Sequence, residues 1–181
     1  VTAEAMLQQG KVLALTKKPL MALKKFEDLE KRYPHSSFTM KARLERAKTL
    51  FELQSFKRSL KILGDISRAL PDEVYTNPDL LLYTGYNYYE LGQLQAAREA
   101  LTKALNYFPH LENKDLVLTR IADTFREDGM GVKAMKLYDL VARTYPDTEG
   151  SVISLIRVAE EAEKAEFKSS DDSDGQGIVE N

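Results

Sequence analysis

The residue types that most often carry catalysis or bind metals are sparse in this sequence. It contains no cysteine and two histidines, His35 and His110, which lie 75 residues apart and each directly follow a proline. A metal site needs several ligands that converge at close range. No Ser–His–acid set or pair of carboxylates can be placed on one surface. We therefore expect both histidines to lie in turns, and we expect no catalytic residue, no metal site, no cofactor and no enzymatic activity.

Clustered basic residues are the second candidate, because such clusters can bind nucleic acid. Pairs of basic residues occur at 17–18, 24–25 and 31–32. Acidic residues are interleaved with them, and the sequence pI is about 5.8. A phosphate-binding track requires an excess of positive charge on one surface. The sequence therefore predicts solvated helical faces here and no nucleic-acid binding. It also contains no run of 18 apolar residues, so we expect no direct membrane insertion.

The most regular feature of the chain is a pattern of small and large apolar residues on paired amphipathic helices. It is clearest in residues 78–109, where Gly85 lies on the apolar face of a first helix, and Ala97 and Leu101 lie on that of a second. Gly92 falls between the helices, where a residue with positive φ is favoured, and Pro109 ends the second helix. Equivalent prolines, spaced by 37, 38 and 37 residues, are Pro34, Pro71, Pro109 and Pro146.

This pattern resembles the tetratricopeptide-repeat (TPR) family, whose signature is W-x2-L-G-x2-Y, then A-x3-F, then P. Residues 78–109 supply Leu81-x2-Thr84-Gly85-x2-Tyr88, then Ala97-x3-Leu101, then Pro109. Three other segments match in the same register, beginning at Met6-x2-Gln9-Gly10, Arg43-x2-Arg46-Ala47 and Leu118-x2-Ile121-Ala122. The resemblance implies an all-α fold, a right-handed α-solenoid of about four helix pairs plus a C-terminal capping helix.

The resemblance also sets the expected domain boundaries. The TPR solenoid spans 3–167, with repeats near 3–36, 40–73, 78–111 and 115–148 and a capping helix at 152–167. The residues of that helix expected to face inward are Leu155, Val158, Ala159 and Ala162. The segment 168–181 is acidic and rich in Ser and Gly, so we expect a disordered tail. Because the chain starts at Val1 rather than Met, we expect a processed or excised fragment that lacks any targeting segment.

Close helix packing is the expected physical role of the repeated residues. Small residues of each first helix should touch the second helix: Gly10, Ala47, Gly85 and Ala122. Small residues of each second helix should do the same: Ala22, Ser59, Ala97 and Ala134. Large residues should fill the space toward the next repeat: Phe26, Leu63, Leu101 and Tyr138. Because no helix pair buries its apolar face alone, neighbouring pairs must stack.

In TPR proteins the first helices line a concave groove, and the resemblance therefore selects candidate binding residues. The partner-groove candidates are Leu7, Lys11, Leu44, Lys48, Phe51, Leu82, Tyr86, Tyr89, Asp123 and Arg126. Aromatic side chains give a peptide a large apolar contact at a small cost in entropy. The resemblance thus implies a protein-interaction scaffold that binds a peptide or helix of an unidentified protein partner. The other interpretation is that the tyrosines pack against neighbouring helices.

Uneven charge keeps a second function open. Residues 1–70 hold 15 basic and 7 acidic residues, a balance of +8, whereas residues 71–181 hold 11 and 21, a balance of −10. Opposite charges at the two ends favour head-to-tail contacts, so a self-assembling structural module and a homo-oligomer are the alternative. The turns YPHSSF and YPDTEG resemble those of bacterial envelope TPR proteins. They favour the periplasm or cell envelope over the cytoplasm, with the compartment left open.

Overall fold

The structure is a computed structural model that describes the backbone of residues 1–174 and the side chains of residues 1–165. The described residues form ten α-helices and no strand, which confirms the predicted all-α class. The helices are α1 (Ala3–Leu15), α2 (Pro19–Arg32), α3 (Ser37–Glu52), α4 (Phe56–Ala69), α5 (Glu73–Thr76), α6 (Pro78–Glu90), α7 (Leu94–Tyr107), α8 (Lys114–Glu127), α9 (Gly131–Thr144) and α10 (Glu149–Asp174). Within residues 1–174, no helix combines the length and apolar character needed to cross a bilayer.

The second helices α2, α4, α7 and α9 have the same length, 14 residues. Each ends two residues before one of the four repeat prolines, as the spacing of the prolines predicts. The turn before each second helix contains one left-handed residue, with φ of 56°, 56°, 70° and 74° at Lys17, Gln54, Gly92 and Gly129. Glycine adopts this conformation without a steric penalty, whereas lysine and glutamine adopt it at a cost in energy.

Residues 1–111 form one compact unit of three helix pairs and the short helix α5. The first helices are neighbours, since α1 packs on α3 and α3 packs on α6. The second helices α2 and α4 each pack both on their own first helix and on the first helix of the next pair. This arrangement places the three first helices side by side on one face of the unit.

Close approach at the small residues holds these pairs together, as the sequence predicts. A Cβ atom added to Gly10 would lie 2.3 Å from Cε1 of Phe26, and one added to Gly85 would lie 2.6 Å from Cδ2 of Leu101. The other predicted small residues, and the large residues opposite them, are at most 1% exposed: Ala22, Ala47, Ser59, Leu63, Ala97, Ala122, Ala134 and Tyr138. The packing role assigned to these residues is therefore confirmed.

Residues 112–174 form the second compact unit, in which α8, α9 and α10 all contact one another. Polar groups join α10 to α8. The Gly150 N–H donates to Oδ2 of Asp115 at 2.9 Å, and the Thr119 hydroxyl lies 3.1 Å both from the Gly150 carbonyl oxygen and from Oγ of Ser154. A Cβ atom at Gly150 would lie 2.6 Å from the backbone carbonyl carbon of Asp115, so glycine is required for this contact.

Helix α10 differs from the predicted capping helix in its bounds and in the face that it buries. It begins at Glu149 rather than 152 and ends at Asp174 rather than 167, and residues 175–181 of the predicted tail lie outside the described residues. Leu155, predicted to face inward, is 56% exposed, whereas Ser154 is fully buried. Ala159 and Ala162 are exposed as well, and of the four predicted residues only Val158 packs inward. The prediction was wrong for Leu155, Ala159 and Ala162 because the buried hydroxyls of Thr119 and Ser154, which a hydrophobic pattern does not include, lie between α8 and α10.

Candidate interaction surface

A cavity of about 490 Å³ opens on the first-helix face of residues 1–111, and we call it the α1–α3 cavity. Its walls come from α1, the start of α2, α3 and α6. It is lined by Lys11, Ala14, Leu15, Pro19, Glu45, Lys48, Thr49, Glu52 and Tyr83. Ala14, Leu15 and Pro19 give the lining an aliphatic part, and charged side chains and a tyrosine ring make up most of the rest. Leu15 is 84% exposed and belongs to the lining of this cavity.

Most of the charges in the α1–α3 cavity are already paired. The Lys48 ammonium lies 2.8 Å from Oδ2 of Asp79 and 3.6 Å from Oε1 of Glu45, and Lys11 lies 3.7 Å from the same Glu45 oxygen. Burial disfavours the charged form of Lys48, but the hydrogen bond to Asp79 and the charge of Glu45 outweigh it and raise its pKa. Among the described residues, no cation lies within ion-pair distance of Glu52, which leaves one carboxylate available in the cavity.

An aromatic cluster adjoins the cavity and consists of Phe51, Phe56, Tyr83 and Tyr86. Ring centroids in this cluster are separated by 5.4 Å for Phe51–Phe56, 5.5 Å for Phe51–Tyr83 and 5.8 Å for Tyr83–Tyr86. All four side chains are half-buried, so they pack on one another and still present part of their rings to solvent. Tyr83 belongs to both features, and the Lys48 ammonium lies 5.5 Å from its ring centroid.

A buried amide fixes the backbone that carries Tyr83. Nδ2 of Asn87, which is fully buried, donates to the Tyr83 carbonyl oxygen at 2.6 Å and to Oγ of Ser59 at 2.9 Å. Ser59 in turn donates to the Ala47 carbonyl oxygen at 2.8 Å. This chain of hydrogen bonds joins α3, α4 and α6, and it therefore holds the tyrosine at a defined position beside the cavity.

The structure brings four predicted groove residues into this region. Lys11 and Lys48 line the α1–α3 cavity, and Phe51 and Tyr86 belong to the aromatic cluster. Tyr89 is half-buried one turn further along α6. These aromatic and basic positions are the part of the predicted set that is partly or fully exposed to solvent.

Three predicted leucines do not offer such surface. Leu7, Leu44 and Leu82 are 3–5% exposed, and Leu7 and Leu44 belong to apolar clusters of the core. The residues that follow the last two, Glu45 and Tyr83, line the cavity instead. One residue corresponds to a rotation of about 100° around a helix, so a one-residue error in the assigned face exchanges core for surface.

The two predicted residues of the second unit are engaged in internal contacts. Asp123 is 3% exposed, accepts a 2.7 Å hydrogen bond from the Tyr138 hydroxyl at Oδ1, and lies 3.5 Å from both Arg120 and Arg157. Burial, together with the adjacent carboxylate, raises the pKa of Tyr138 far above its usual value. Arg126 is ion-paired with Glu160 at 3.1 Å. These contacts join α8 to α9 and α10, which is a structural role rather than a free binding surface.

Tyr83 and Glu52 line the cavity but were not among the predicted groove residues. A usable signal existed for Tyr83, because it precedes Tyr86 by three residues and follows Asp79 by four, which places all three on one helical face. No comparable signal marks Glu52, whose availability depends on which cations the neighbouring helices supply. Within the described residues, no group of His, Cys, Asp or Glu could hold a metal ion.

Comparison with known proteins supports the fold described above. A tetratricopeptide-repeat family model matches residues 4–36 and 79–110. MamA from Desulfovibrio magneticus RS-1 is similar at 18% identity, with 82% of this chain and 78% of that chain covered and a TM-score of 0.68. PilW, a type IV pilus biogenesis factor, is similar at 17% identity (85% and 67% covered, TM-score 0.72). A putative kinesin light chain from Podospora anserina with TPR-like repeats is similar at 12% identity (92% and 88% covered, TM-score 0.71). No curated protein matches this chain.

The helix pairs, their small-residue contacts and these matches define an all-α helical-repeat protein. Within that class, residues 4–36 and 79–110 match the tetratricopeptide-repeat family model, and the fold is similar to that of a solved protein with TPR-like repeats. At identities of 12–18%, the similarity to these solved structures concerns the fold and not the function.

Proposed function

We propose that this chain is a protein-interaction scaffold that binds a peptide or a helix of a partner protein in the α1–α3 cavity and on the adjoining aromatic cluster. The observation that carries the proposal is the cavity of about 490 Å³, whose lining includes aliphatic residues and a tyrosine ring. Concave, mostly apolar sites with a few placed polar groups are typical ligand sites. A partner that places apolar side chains between Leu15 and Tyr83 would bury the apolar surface of both residues, which favours binding. We assign the chain no catalytic role.

Substitution of Leu15 by aspartate tests this function directly. Leu15 is 84% exposed, so the charge should block the cavity without disturbing the packing of the helices. Proteins captured from a native extract by the wild-type chain, and identified by mass spectrometry, should be lost with Leu15→Asp. Leu140→Asp is the matched control, because Leu140 is 50% exposed on α9 and does not line the cavity. Equal loss with both variants, or with neither, would contradict the assignment of the cavity.

The predicted aromatic residues allow a second test. The double substitution Tyr86→Ala with Tyr89→Ala should weaken binding of an identified partner, because Tyr86 belongs to the aromatic cluster and Tyr89 is half-buried one turn further along α6. Titration of that partner, with helix content checked by circular dichroism, measures the effect. Unchanged affinity in a folded double variant would remove Tyr86 and Tyr89 from the site.

Self-assembly is the second candidate function, and the opposite charges of residues 1–70 and 71–181 favour it. Contacts of this origin weaken as salt screens the charges. Light scattering after size exclusion, at low and at high salt, should then show an oligomer that dissociates. A monomer at both salt concentrations would remove this candidate.

A further inference from the structure

An apolar stripe runs along the exposed side of α10, and we call it the α10 stripe. Val152, Leu155 and Ile156 are 53%, 56% and 52% exposed, and Ala159 and Ala162 continue the same face as exposed residues. The spacing of these five residues is that of a single helical face. Three large aliphatic side chains, each more than half exposed within five residues, form a contiguous patch of the kind that marks an interaction site.

The residues of the α10 stripe match the pattern found on the other first helices, on the face that packs against a second helix. Leu155-x2-Val158-Ala159 matches Leu118-x2-Ile121-Ala122 of α8, and in α8 the alanine is fully buried because α9 covers it. The corresponding residue of α10, Ala159, is exposed. Among the described residues no helix follows α10, and none of them covers the face that this pattern presents to a second helix.

Charges at the two ends of the α10 stripe indicate what would cover it. Glu149 lies before the stripe and Glu163 at its far end, both exposed, and within the described residues neither has an ion-pair partner. They are 14 residues apart, which corresponds to about 21 Å along a helix. Other charges near this face are already engaged, since Arg157 and Arg126 both pair with Glu160. The unpaired charges are therefore negative at both ends.

We propose that the α10 stripe binds an amphipathic helix of a partner protein. The partner helix carries a small residue where it crosses Ala159, a large apolar residue four positions later, and a lysine or arginine near each end. The small residue permits the close approach seen at Ala122 and Gly85, the apolar residue covers Leu155 and Ile156, and the cations pair with Glu149 and Glu163. This site is separate from the α1–α3 cavity, and either can exist without the other.

The probe is a fluorescein-labelled synthetic peptide of 16 residues with an Ala-x3-Leu face and a lysine at each end. Fluorescence anisotropy with the full chain should show saturable binding, and Leu155→Glu should weaken it at least tenfold because a charge then faces the apolar side of the peptide. Leu140→Glu is the matched control, because Leu140 on α9 is 50% exposed and Leu155 is 56% exposed, and it should leave affinity unchanged. Circular dichroism of each variant verifies that the helices are intact.

Charge reversal tests the predicted ends. Glu149→Lys combined with Glu163→Lys should weaken binding of the lysine-ended peptide and strengthen binding of an otherwise identical peptide with glutamate at each end. The proposal is overturned if the peptide does not bind, if Leu155→Glu and Leu140→Glu have equal effects, or if charge reversal does not change the preference. It is also overturned if light scattering shows a dimer that Leu155→Glu dissociates, because the stripe then pairs with itself.

Discussion

Lys48 and Asp123 occupy the same place in two repeats, directly after the alanine that touches the second helix, yet their environments are opposite. Lys48 lines an open cavity in residues 1–111, and its side chain is 25% exposed. Asp123 is 3% exposed in residues 112–174, and the Tyr138 hydroxyl donates to it. The difference shows that a repeat position does not fix whether a residue forms surface or core.

The cause of the difference is the large residue of the second helix. Phe26, Leu63 and Leu101 fill this place without a polar group, whereas Tyr138 brings a buried hydroxyl that needs an acceptor. Asp123 provides that acceptor, and Arg120 and Arg157 balance its charge. In this repeat a buried hydroxyl on α9 is thus paired with a buried carboxylate on α8, at the position that is partly exposed as Lys48 on α3.

The largest predicted effect comes from removing Asp123. Asp123→Ala leaves the Tyr138 hydroxyl buried without an acceptor and should lower the free energy of unfolding by about 3 kcal/mol. Lys48→Ala, at the equivalent place, should cost less than about 1 kcal/mol because that ion pair is partly solvated. Urea unfolding followed by circular dichroism measures both values.

The double variant Asp123→Ala with Tyr138→Phe is the control for this prediction. Because both polar partners are then absent, it should be more stable than Asp123→Ala alone. Similar losses for Lys48→Ala and Asp123→Ala would show that the two repeat positions are equivalent after all.

Much of the fold could be predicted from the sequence because packing at Gly10, Gly85 and their partners depends on side-chain size, which the sequence states directly. The site was predicted only in part. Leu44 and Glu45 are adjacent on α3, so assigning the wrong one to the cavity requires an error of only one residue in the helical register. The sequence pattern does not settle a one-residue difference in a helix whose apolar and polar residues are not cleanly separated. The buried face of α10 was missed because the buried hydroxyls of Thr119 and Ser154 lie between α8 and α10, and a hydrophobic pattern does not reveal them.

The second prediction concerns the close contact between the two helices of a pair. At the small residue of the first helix, two repeats have glycine and the other two have alanine. Gly85→Ala should lower the free energy of unfolding by about 2 kcal/mol, since the new Cβ would lie 2.6 Å from Leu101. Gly64→Ala is the matched control on α4. A Cβ there meets no atom within 4 Å, so the change should instead stabilise by roughly 0.5–1 kcal/mol. Thermal unfolding distinguishes the two, and equal shifts would argue against the close contact.

Acid sensitivity should also differ between the two regions. Burial opposes the charge of Asp115, but hydrogen bonds from Gly150 and Thr148 outweigh it and hold the pKa of Asp115 below its ordinary value. The stabilisation it gives is present above the unfolded-state value of about 4 and is lost as pH falls through the folded-state pKa. Asp115→Asn should thus cost about 1.5 kcal/mol near neutral pH, and the cost should shrink in acid.

Glu30 in the first region supplies the contrast. Burial raises its pKa despite the nearby Arg46, so the folded state takes up a proton more readily than the unfolded state. Its contribution to stability therefore increases as pH falls through that pKa, which is the opposite sign to Asp115. Urea titrations of Asp115→Asn and Glu30→Gln across the acidic range should show opposite slopes relative to wild type. Parallel slopes would contradict the assigned environments.

The smallest effects are expected at the left-handed turns, where the first two helix pairs have Lys17 and Gln54 and the next two have Gly92 and Gly129. A left-handed conformation costs a residue with a side chain roughly 1–2 kcal/mol, and glycine loses about 0.5–1 kcal/mol more backbone entropy on folding. Lys17→Gly and Gln54→Gly should therefore stabilise by about 0.5 kcal/mol, whereas Gly129→Ala should destabilise by a similar amount. The midpoints of urea unfolding test this, and a loss of stability in Gln54→Gly would mean that its side chain makes a contact worth more than the relief of the turn.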